Sequence, residues 1–336
     1  MAVRSSIDQA IEHHINGQLD QALGLYVQAL QEDPQTPGAA DLISAILRTY
    51  LELALALMKT GRDKDAIRSF QRVLAIQPDE PVAHAYLSRL FISDNDLPQA
   101  THHLRHYLRL VPEDHIGARM LLAYTGAEAI PERPAPAYIT RLYDNYAASY
   151  DQKLVNSLHY QCPQLIRAAL ERHCQDKVAI LDLGCGTGLC GQAVSSMATR
   201  LDGVDLSPRM IAKARQRAIY NELAVDDLYP FLEKKAGCYD VIVAAGVFEH
   251  IGDPCHVFQA AFGALRDSGL FVFTAEDNPT QELSVNSSGY YMHGRAYLAE
   301  RATQCGFAVS SLESATLRLD NGAAVRGLCV VLGKTP

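Results

Sequence analysis

Two different hydrophobic patterns divide the chain. In the C-terminal part, short apolar runs without polar alternation recur; the first begins at Val178 and the most apolar covers residues 239–246. Runs of this kind predict strands that are covered on both faces, as in a parallel α/β sheet. Further strands are predicted at residues 201–205, 222–225 and 269–274. Because helical segments separate these runs, this part of the chain is predicted to be an α/β domain.

The first third of the chain instead repeats a helical pattern. A small residue, a larger apolar residue, a second apolar residue and a proline recur with a shift of 34 residues, and an earlier copy is displaced by 44. The copies are Ala66, Phe70, Val73 and Pro78; Ala100, Leu104, Tyr107 and Pro112; and Ala22, Tyr26, Ala29 and Pro34. The wider displacement indicates about ten inserted residues around 35–44. The pattern resembles the tetratricopeptide repeat, with another array of helical hairpins as the alternative.

These patterns predict two domains joined by a linker. Residues 1–125 would form an all-α solenoid of three repeats, capped by a helix at 116–124. Residues 126–137 are rich in proline and are predicted to be the linker. Residues 138–336 would form the α/β domain.

The most informative segment lies at the end of the first predicted strand. Leu181-Asp-Leu-Gly-Cys-Gly-Thr-Gly188 enters a turn whose glycines let a ligand approach the backbone. About twenty residues later the second strand ends at Asp205, where doubly wound folds place an acid that binds ribose hydroxyls. Dinucleotide dehydrogenases usually show G-x-G-x-x-G instead of this G-x-G-x-G turn. Together with Gly203-Val-Asp-Leu-Ser207, the segment resembles the first two motifs of class I S-adenosylmethionine-dependent methyltransferases.

The resemblance implies a Rossmann-like class I methyltransferase sheet that ends in two antiparallel strands, at residues 307–311 and 326–332. It also implies S-adenosylmethionine as the cofactor. Of the two acids after the third strand, Asp227 has the better register for the adenine amino group, and Asp226 is the close alternative. The predicted cofactor-binding residues are Asp182, Gly184, Cys185, Gly186, Gly188, Asp205, Leu206, Met210, Asp226, Asp227, Leu228, Ala244, Ala245, Tyr146 and Tyr150.

Residues 143–151, Tyr-Asp-Asn-Tyr-Ala-Ala-Ser-Tyr-Asp, resemble a helical lid that lies over the cofactor in related methyltransferases. Tyr143, Tyr146 and Tyr150 would share one face of a helix. Tyr146 and Tyr150 are predicted to form part of the wall of the cofactor pocket. The alternative is that this stripe packs on the sheet.

Candidate catalytic and substrate-binding residues follow the fourth and fifth strands, at the edge where ligands bind in such sheets. His250 could act as a general base because imidazole titrates near neutrality, although Glu-His occurs here in methyltransferases with unlike substrates. His293 is the second candidate base, or it caps the following helix. Tyr290, Tyr291 and Arg295 are predicted to contact the methyl acceptor, and Arg295 could bind a carboxylate or phosphate.

Composition and charge restrict the partners. The net charge is −8 and no basic stripe is visible, so a nucleic-acid substrate is disfavoured. The longest apolar stretch, residues 42–58, is interrupted by Arg48 and Glu52, and neither a membrane span nor a membrane-surface segment is predicted. The eight cysteines contain no C-x-x-C pair, which predicts reduced thiols in a cytoplasmic protein and no metal site.

The expected function is methyl transfer from S-adenosylmethionine to an oxygen or nitrogen, or a carbon, of an acceptor. The aromatic lid favours a small molecule in an enclosed pocket, or one presented by a partner protein. The repeats favour a protein substrate or partner bound in their groove. A different class of function remains open, in which the repeats form a scaffold and the second domain senses the cofactor without turnover.

Overall fold

The computed structural model describes residues 2–33, 35–280, 282–320 and 322–335. The chain divides into two compact units, Met1–Val111 and Pro112–Pro336. The described residues of the first unit form six helices in three hairpins: α1 (Ala2–Ile15) and α2 (Leu19–Glu32), α3 (Ala39–Lys59) and α4 (Asp63–Ile76), and α5 (Pro81–Ser93) and α6 (Leu97–Leu110).

The predicted repeat positions are buried inside these hairpins. Ala66 and Ala100, together with the apolar residue four positions after each, have no exposed surface. The small side chains let the paired helices approach closely. Helix α3 has 21 residues whereas α5 has 13, so most of the insertion predicted around 35–44 lengthens one helix. Pro34, the proline predicted for the earliest copy, lies outside the described residues.

The described residues of the second unit begin with four helices, and strands and helices then alternate through most of the remainder. Its helices are α7 (Ala118–Tyr124), α8 (Pro136–Tyr146), α9 (Tyr150–Gln152), α10 (Cys162–His173), α11 (Leu189–Val194), α12 (Pro208–Gln216), α13 (Leu228–Glu233), α14 (Cys255–Ala264) and α15 (Arg295–Gln304). Its strands are β1 (Val178–Leu183), β2 (Ala198–Asp205), β3 (Glu222–Val225), β4 (Tyr239–Ala244), β5 (Leu265–Glu276), β6 (Leu283–Val285), β7 (Tyr291–His293), β8 (Phe307–Asp320) and β9 (Ala323–Lys334). Single helical turns lie at Lys153–Ser157, Ser195–Met197 and Phe248–His250.

Seven of the described strands form one sheet in the order β3-β2-β1-β4-β5-β9-β8. The first five run parallel to their neighbours, and β9 and β8 are antiparallel, as predicted. Strands β1 and β4 are buried almost throughout, which explains their unbroken apolar runs. The strand order reverses between β1 and β4, and sheets of this type bind ligands at such a reversal.

The boundary predicted at residue 125 differs from the structure. Residues 112–125 group with the second unit, because Met120 of α7 packs with Val285 and Tyr291. The predicted linker is also not a free connection. The Tyr291 hydroxyl donates to the carbonyl of Pro131 at 2.6 Å, and the Gly252 amide donates to the carbonyl of Glu132 at 2.9 Å. Proline content therefore marked a segment without regular structure, and tertiary contacts fix it in place.

The predicted single helix through the three lid tyrosines is also corrected by the structure. Helix α8 ends at Tyr146, and Tyr150 begins the separate helix α9. Strand β8 is longer than predicted, and its far end holds the segment after the lid. There the Gln161 amide donates to the Leu317 carbonyl at 2.8 Å, and the Leu319 amide donates to the Leu158 carbonyl at 2.6 Å.

Two absences concern only the residues described above. Among them, no helix combines the length and the apolar character needed to cross a membrane. Nor do those residues bring together three or more histidine, cysteine, aspartate or glutamate side chains in a way that would hold a metal ion.

Candidate functional site

A cleft opens at the carboxyl ends of β1, β2 and β4; we call it the main cleft. It has a volume of about 810 Å³, part of it open to solvent. Its lining combines apolar, aromatic and acidic side chains with bare glycine backbone. The lining residues are Arg133, Pro134, Pro136, Ile139, Tyr143, Tyr150, Gly184, Gly186, Val204, Asp205, Leu206, Asp226, Asp227, Leu228, Tyr229, Ala245, Gly246, Val247, His250 and Ile251.

The glycine turn forms the floor of the main cleft because its backbone takes a conformation that suits glycine. Gly184 has φ +66°, and a Cβ there would lie 2.6 Å from Cγ2 of Val247. Gly186 has φ +53°, and a Cβ there would meet only the ring of Tyr150, at 3.9 Å. The missing Cβ atoms therefore leave room for packing at Gly184 and for a ligand at Gly186.

Asp205 stands at the end of β2 and turns its carboxylate into the main cleft. The amides of Gly186 and Ser207 donate to its two oxygens at 2.9 and 2.8 Å. Burial raises the pKa of Asp205, and the two backbone hydrogen bonds oppose that rise. Each oxygen keeps a second lone pair, so the carboxylate can still accept hydrogen bonds from a ligand.

Both acids after β3 line the main cleft, and both are held by neighbours. Asp227 accepts from the Tyr229 amide at 3.2 Å and forms an ion pair with Arg133, whose Nη1 lies 2.8 Å from Oδ2. Asp226 accepts from the Asp227 amide at 2.9 Å and from Lys234 Nζ at 3.2 Å. The Arg133 guanidinium also lies over the Tyr229 ring, 4.9 Å from its centre. The segment predicted to be a linker thus forms one wall of the cleft.

The two aspartates of the lid anchor it to the residues around the glycine turn and the end of β2. Asp144 accepts from the Ser207 hydroxyl at 2.6 Å, next to Asp205. Asp151 accepts from the Thr187 hydroxyl and pairs with Arg217 at 2.5 Å. In the sequence, each of these aspartates directly follows a lid tyrosine, and this repeated Tyr-Asp pair is the pattern that marks them.

His250 lines the main cleft, but its environment does not favour a general base. Burial, with a smaller contribution from the positive charge of Arg318, lowers the pKa of His250 to about 4. Its Nε2 is hydrogen-bonded to the Tyr143 hydroxyl at 2.7 Å. An imidazole with so low a pKa is neutral at about pH 7 and accepts a proton weakly. The hydrogen bond between His250 and Tyr143 instead holds Tyr143 next to the helical turn that follows β4.

Asp182 does not line the main cleft, contrary to its predicted cofactor contact. Its side chain is fully buried in β1, and the Tyr220 hydroxyl donates to Oδ2 at 2.7 Å. Burial raises the pKa of Asp182 to about 6, against an opposing effect of the Tyr220 hydrogen bond. The residue therefore joins β1 to the loop before β3.

We expect Asp182→Asn to stabilise the second unit near pH 7 and to leave cofactor affinity within a few-fold of the wild type. The raised pKa means that the folded state binds the proton more tightly than the unfolded state. This contribution stabilises the fold below about pH 4 and is lost as the pH rises through about 6. The shift of roughly two pKa units corresponds to on the order of 3 kcal/mol.

Melting curves of the wild type and Asp182→Asn across this pH range would check the prediction, because the two should converge at about pH 4. A variant that keeps its melting temperature but loses cofactor binding would restore the role predicted from the sequence.

Several other predicted cofactor residues lie behind the lining of the main cleft. They are buried and are Cys185, Gly188, Met210 and Ala244. Gly188 faces the side chains of Arg217 and Tyr220, since a Cβ there would lie 2.9 Å from Arg217 Cδ. Tyr146 points away from the main cleft and is 38% exposed. Leu206, Leu228 and Ala245 do line it.

The residues after β5 are not brought together at the main cleft. His293 has no exposed surface, and its Nε2 lies 3.0 Å from the Gly252 carbonyl, so it joins β7 to the loop after β4. Tyr291 is equally buried. Arg295 Nη1 donates to the Leu312 carbonyl at 3.2 Å, away from the cleft. His293, Tyr291 and Arg295 therefore do not form the acceptor site that the sequence predicted. Tyr290 alone reaches a cavity near the cleft.

That cavity adjoins the main cleft and has a volume of about 650 Å³, part of it open to solvent. We call it the aromatic pocket because tyrosines dominate its wall. It is lined by Leu142, Tyr143, Tyr146, Tyr150, Lys153, Leu154, Leu158, Tyr160, Glu249, Tyr290 and Arg318. Tyr143 and Tyr150 line both cavities. Glu249 and Arg318 were not singled out as site residues from the sequence.

Two family models match separate parts of the chain. Residues 181–271 match a methyltransferase domain, and residues 14–90 match the tetratricopeptide repeat. The two matches confirm the predicted nature of both regions, including the repeats.

The curated relatives include ubiquinone biosynthesis O-methyltransferases. Those of Xanthomonas campestris pv. campestris and Pseudomonas aeruginosa are each 29% identical to this chain over 105 residues, which is 30% of this chain. The match spans 44% and 45% of their own lengths, respectively. The chain thus spans less than half the length of the curated relatives it matches.

Solved structures with a similar fold have low sequence identity to the chain. The [4+2]-cyclase SpnF has a TM-score of 0.51 at 16% identity, covering 61% of this chain and 98% of its own. A Burkholderia thailandensis 1,6-didemethyltoxoflavin-N1-methyltransferase, solved with S-adenosylhomocysteine, has a TM-score of 0.47 at 17% identity, covering 58% and 88%. A cyclase among these structures illustrates that the fold alone does not determine the reaction.

The family matches agree with the glycine turn, the position of Asp205 and the strand order described above. The chain thus contains a region similar to methyltransferase domains, at residues 181–271, preceded by a region similar to tetratricopeptide repeats, at residues 14–90.

Proposed function

We propose that the protein transfers the methyl group of S-adenosylmethionine to an oxygen or nitrogen of a small molecule, or of a substrate presented by a partner. The observation that carries the proposal is the geometry around Asp205. Its carboxylate faces the main cleft beside the bare backbone of Gly184 and Gly186. A carboxylate beside exposed glycine backbone suits a ligand that has adjacent hydroxyl groups and an extended chain lying along that backbone.

The lining of the main cleft fits the parts of the cofactor. Asp205 would accept hydrogen bonds from the ribose hydroxyls, and the apolar side chains of Leu206 and Leu228 would pack against the adenine. Asp227, or Asp226 in the alternative register, would meet the adenine amino group. The methionine end would lie over the glycine turn, where Gly186 offers open space. With these assignments, the reactive end of the ligand would lie near Ala245, which lines the main cleft after β4.

A bound S-adenosylmethionine supplies a methyl group attached to a positively charged sulfur. The methyl group is readily transferred because the sulfur departs as a neutral sulfide. The protein therefore has to orient an acceptor and exclude water. Pro134 and Pro136 cover one side of the main cleft, and Tyr143 and Tyr150 of the lid cover another. The names of the curated relatives, which are O-methyltransferases, support oxygen as the acceptor atom.

A second candidate is a protein methyltransferase that recruits its substrate through the repeats, which the match at residues 14–90 favours. A scaffold that senses the cofactor without turnover would need the same cleft and the same repeats. The three functions differ in where a labelled methyl group would appear.

The test uses the whole chain of 336 residues. We expect calorimetry to show binding of both S-adenosylmethionine and S-adenosylhomocysteine, since the cleft holds the part that they share. Incubation with S-adenosylmethionine labelled in its methyl group should then label a component of a small-molecule extract. Label only in protein from a lysate would favour the second candidate. Binding without transfer to either fraction would favour the scaffold, and absence of binding would refute all three.

A further inference from the structure

The aromatic pocket has the position and the chemistry of an acceptor site. We propose that it binds a planar aromatic molecule carrying a hydroxyl group, a phenol, and that Glu249 accepts the proton of that hydroxyl during methyl transfer. The inference rests on the proposed function, since it requires a methyl donor in the main cleft. Of the residues after β5 that the sequence suggested for the acceptor, Tyr290 lines this pocket, and Tyr291 and Arg295 do not.

The wall of the aromatic pocket suits a flat apolar molecule. Tyr146, Tyr150, Tyr160 and Tyr290 present their rings to it, and three leucines complete the apolar surface. Aromatic rings pack favourably against one another in offset or edge-to-face arrangements, which favours an aromatic ligand over an extended aliphatic or peptide chain. The pocket also has polar groups at a few defined points, as specific small-molecule sites do.

The polar groups converge where the two cavities meet. A Cβ built on Gly246 would lie 2.5 Å from the Tyr160 hydroxyl and 3.3 Å from Oε1 of Glu249. Gly246 itself lines the main cleft, at the end of β4. Glu249 is therefore close to the place where the reactive end of the donor would lie, and it faces the aromatic pocket rather than bulk water.

Glu249 is the better proton acceptor of the two candidate bases after β4. It is 9% exposed, and burial raises the pKa of its carboxyl group, an effect that the charge of Arg318 opposes. Arg318 Nη1 lies 4.0 Å from Glu249 Oε1, whereas its Nη2 forms a close ion pair with Glu276. Arg318 is thus held mainly by Glu276. Glu249 keeps lone pairs to accept a proton, while the neighbouring His250 has a pKa lowered to about 4.

The proposed step is a direct displacement. The aromatic hydroxyl gives its proton to Glu249, and a lone pair of its oxygen forms the new O–CH3 bond. The S–CH3 bond breaks at the same time and its electron pair stays on sulfur, which becomes neutral. The proton on Glu249 then passes to water. No oxidant, reductant or metal ion is needed for this balance.

The test is methyl transfer from labelled S-adenosylmethionine to a panel of para-cresol, catechol, naphthol and para-nitrophenol. We expect methylation of at least one weakly acidic phenol of the panel. Glu249→Gln should lower its kcat/KM by about 100-fold or more, the usual range for loss of a general base. The loss should be less than about tenfold with para-nitrophenol, which ionises in mildly alkaline solution and needs no base. Glu249→Asp, which keeps a carboxylate, should recover part of the rate.

Glu276→Gln is the matched control, because it removes one negative charge beside Arg318 from a residue that lines neither cavity. It should change the rate less than Glu249→Gln does. Melting curves and calorimetry with S-adenosylmethionine would verify that the variants fold and bind the donor. The proposal is overturned if the wild type binds the donor but methylates no phenol of the panel, or if Glu249→Gln slows all phenols equally or not at all. Failure of the wild type to bind the donor would instead refute the proposed function.

Discussion

Replacement of Asp205 by alanine should weaken S-adenosylmethionine binding by about 100-fold or more. A hydrogen bond to a charged group contributes about 1.5–3 kcal/mol, and a carboxylate at the end of β2 can accept one from each of two ribose hydroxyls. A loss of about 3 kcal/mol corresponds to roughly a 100-fold rise in Kd. Calorimetry of the variant, made with both units of the chain, would measure this change, with S-adenosylhomocysteine as a second ligand that shares the ribose.

The variant needs a control for folding, because Asp205 also accepts from the Gly186 and Ser207 amides. Asp205→Asn keeps the size of the side chain and one acceptor oxygen but removes the charge. We expect it to melt closer to the wild type than Asp205→Ala while still binding the cofactor poorly. Unchanged affinity in a folded Asp205→Ala protein would refute the placement of the ribose.

Replacement of Gly184 by alanine should destabilise the second unit by about 3 kcal/mol and disturb the floor of the main cleft. The backbone at Gly184 has φ +66°, a left-handed conformation that costs an alanine about 1–2 kcal/mol. In addition, the new Cβ would lie 2.6 Å from Val247 Cγ2, and overlap of this kind in a packed site costs about 1–3 kcal/mol. Thermal melting should therefore shift down by about 5–10 °C.

The chain offers a matched control that separates the two causes. Gly237 has a similar φ of +58°, but a Cβ there would meet no atom within 4 Å. Gly237→Ala should thus show the cost of the backbone conformation alone, about 1–2 kcal/mol. Adding Val247→Ala to Gly184→Ala should recover part of the stability by removing the overlap. Equal effects of Gly184→Ala and Gly237→Ala would contradict the packing described for the glycine turn.

The prediction from sequence succeeded where the signal is local. Strand β3 was predicted with its observed bounds, and the antiparallel pair at the end of the sheet was expected from the resemblance. Strands β5 and β8 proved longer than predicted, because their extensions are paired across the sheet rather than marked by apolar residues. Helix α8 ended earlier than the tyrosine pattern suggested, since the pattern alone cannot show where a lid bends.

The candidate site was predicted less completely than the fold. Asp205, the two acids after β3 and Tyr150 line the main cleft as expected. Asp182, His293 and Arg295 do not, because each is engaged by partners that lie far away in the sequence. Their residue types suited the predicted chemistry, but residue type does not reveal which neighbour a folded side chain will meet.

The sequence by itself determined that glycines occupy the turn after β1, that an acid ends β2, and that three helical hairpins precede the sheet. These features depend on backbone conformation and on neighbours a few residues away. Only the tertiary structure decided that Arg133 meets Asp227, and that Tyr160, Glu249 and Arg318 share one pocket. Those side chains come from segments far apart in the chain, and packing of the whole second unit is what brings them within reach of one another. The proposed donor site could therefore be recognised from a motif, whereas the proposed acceptor site required the fold.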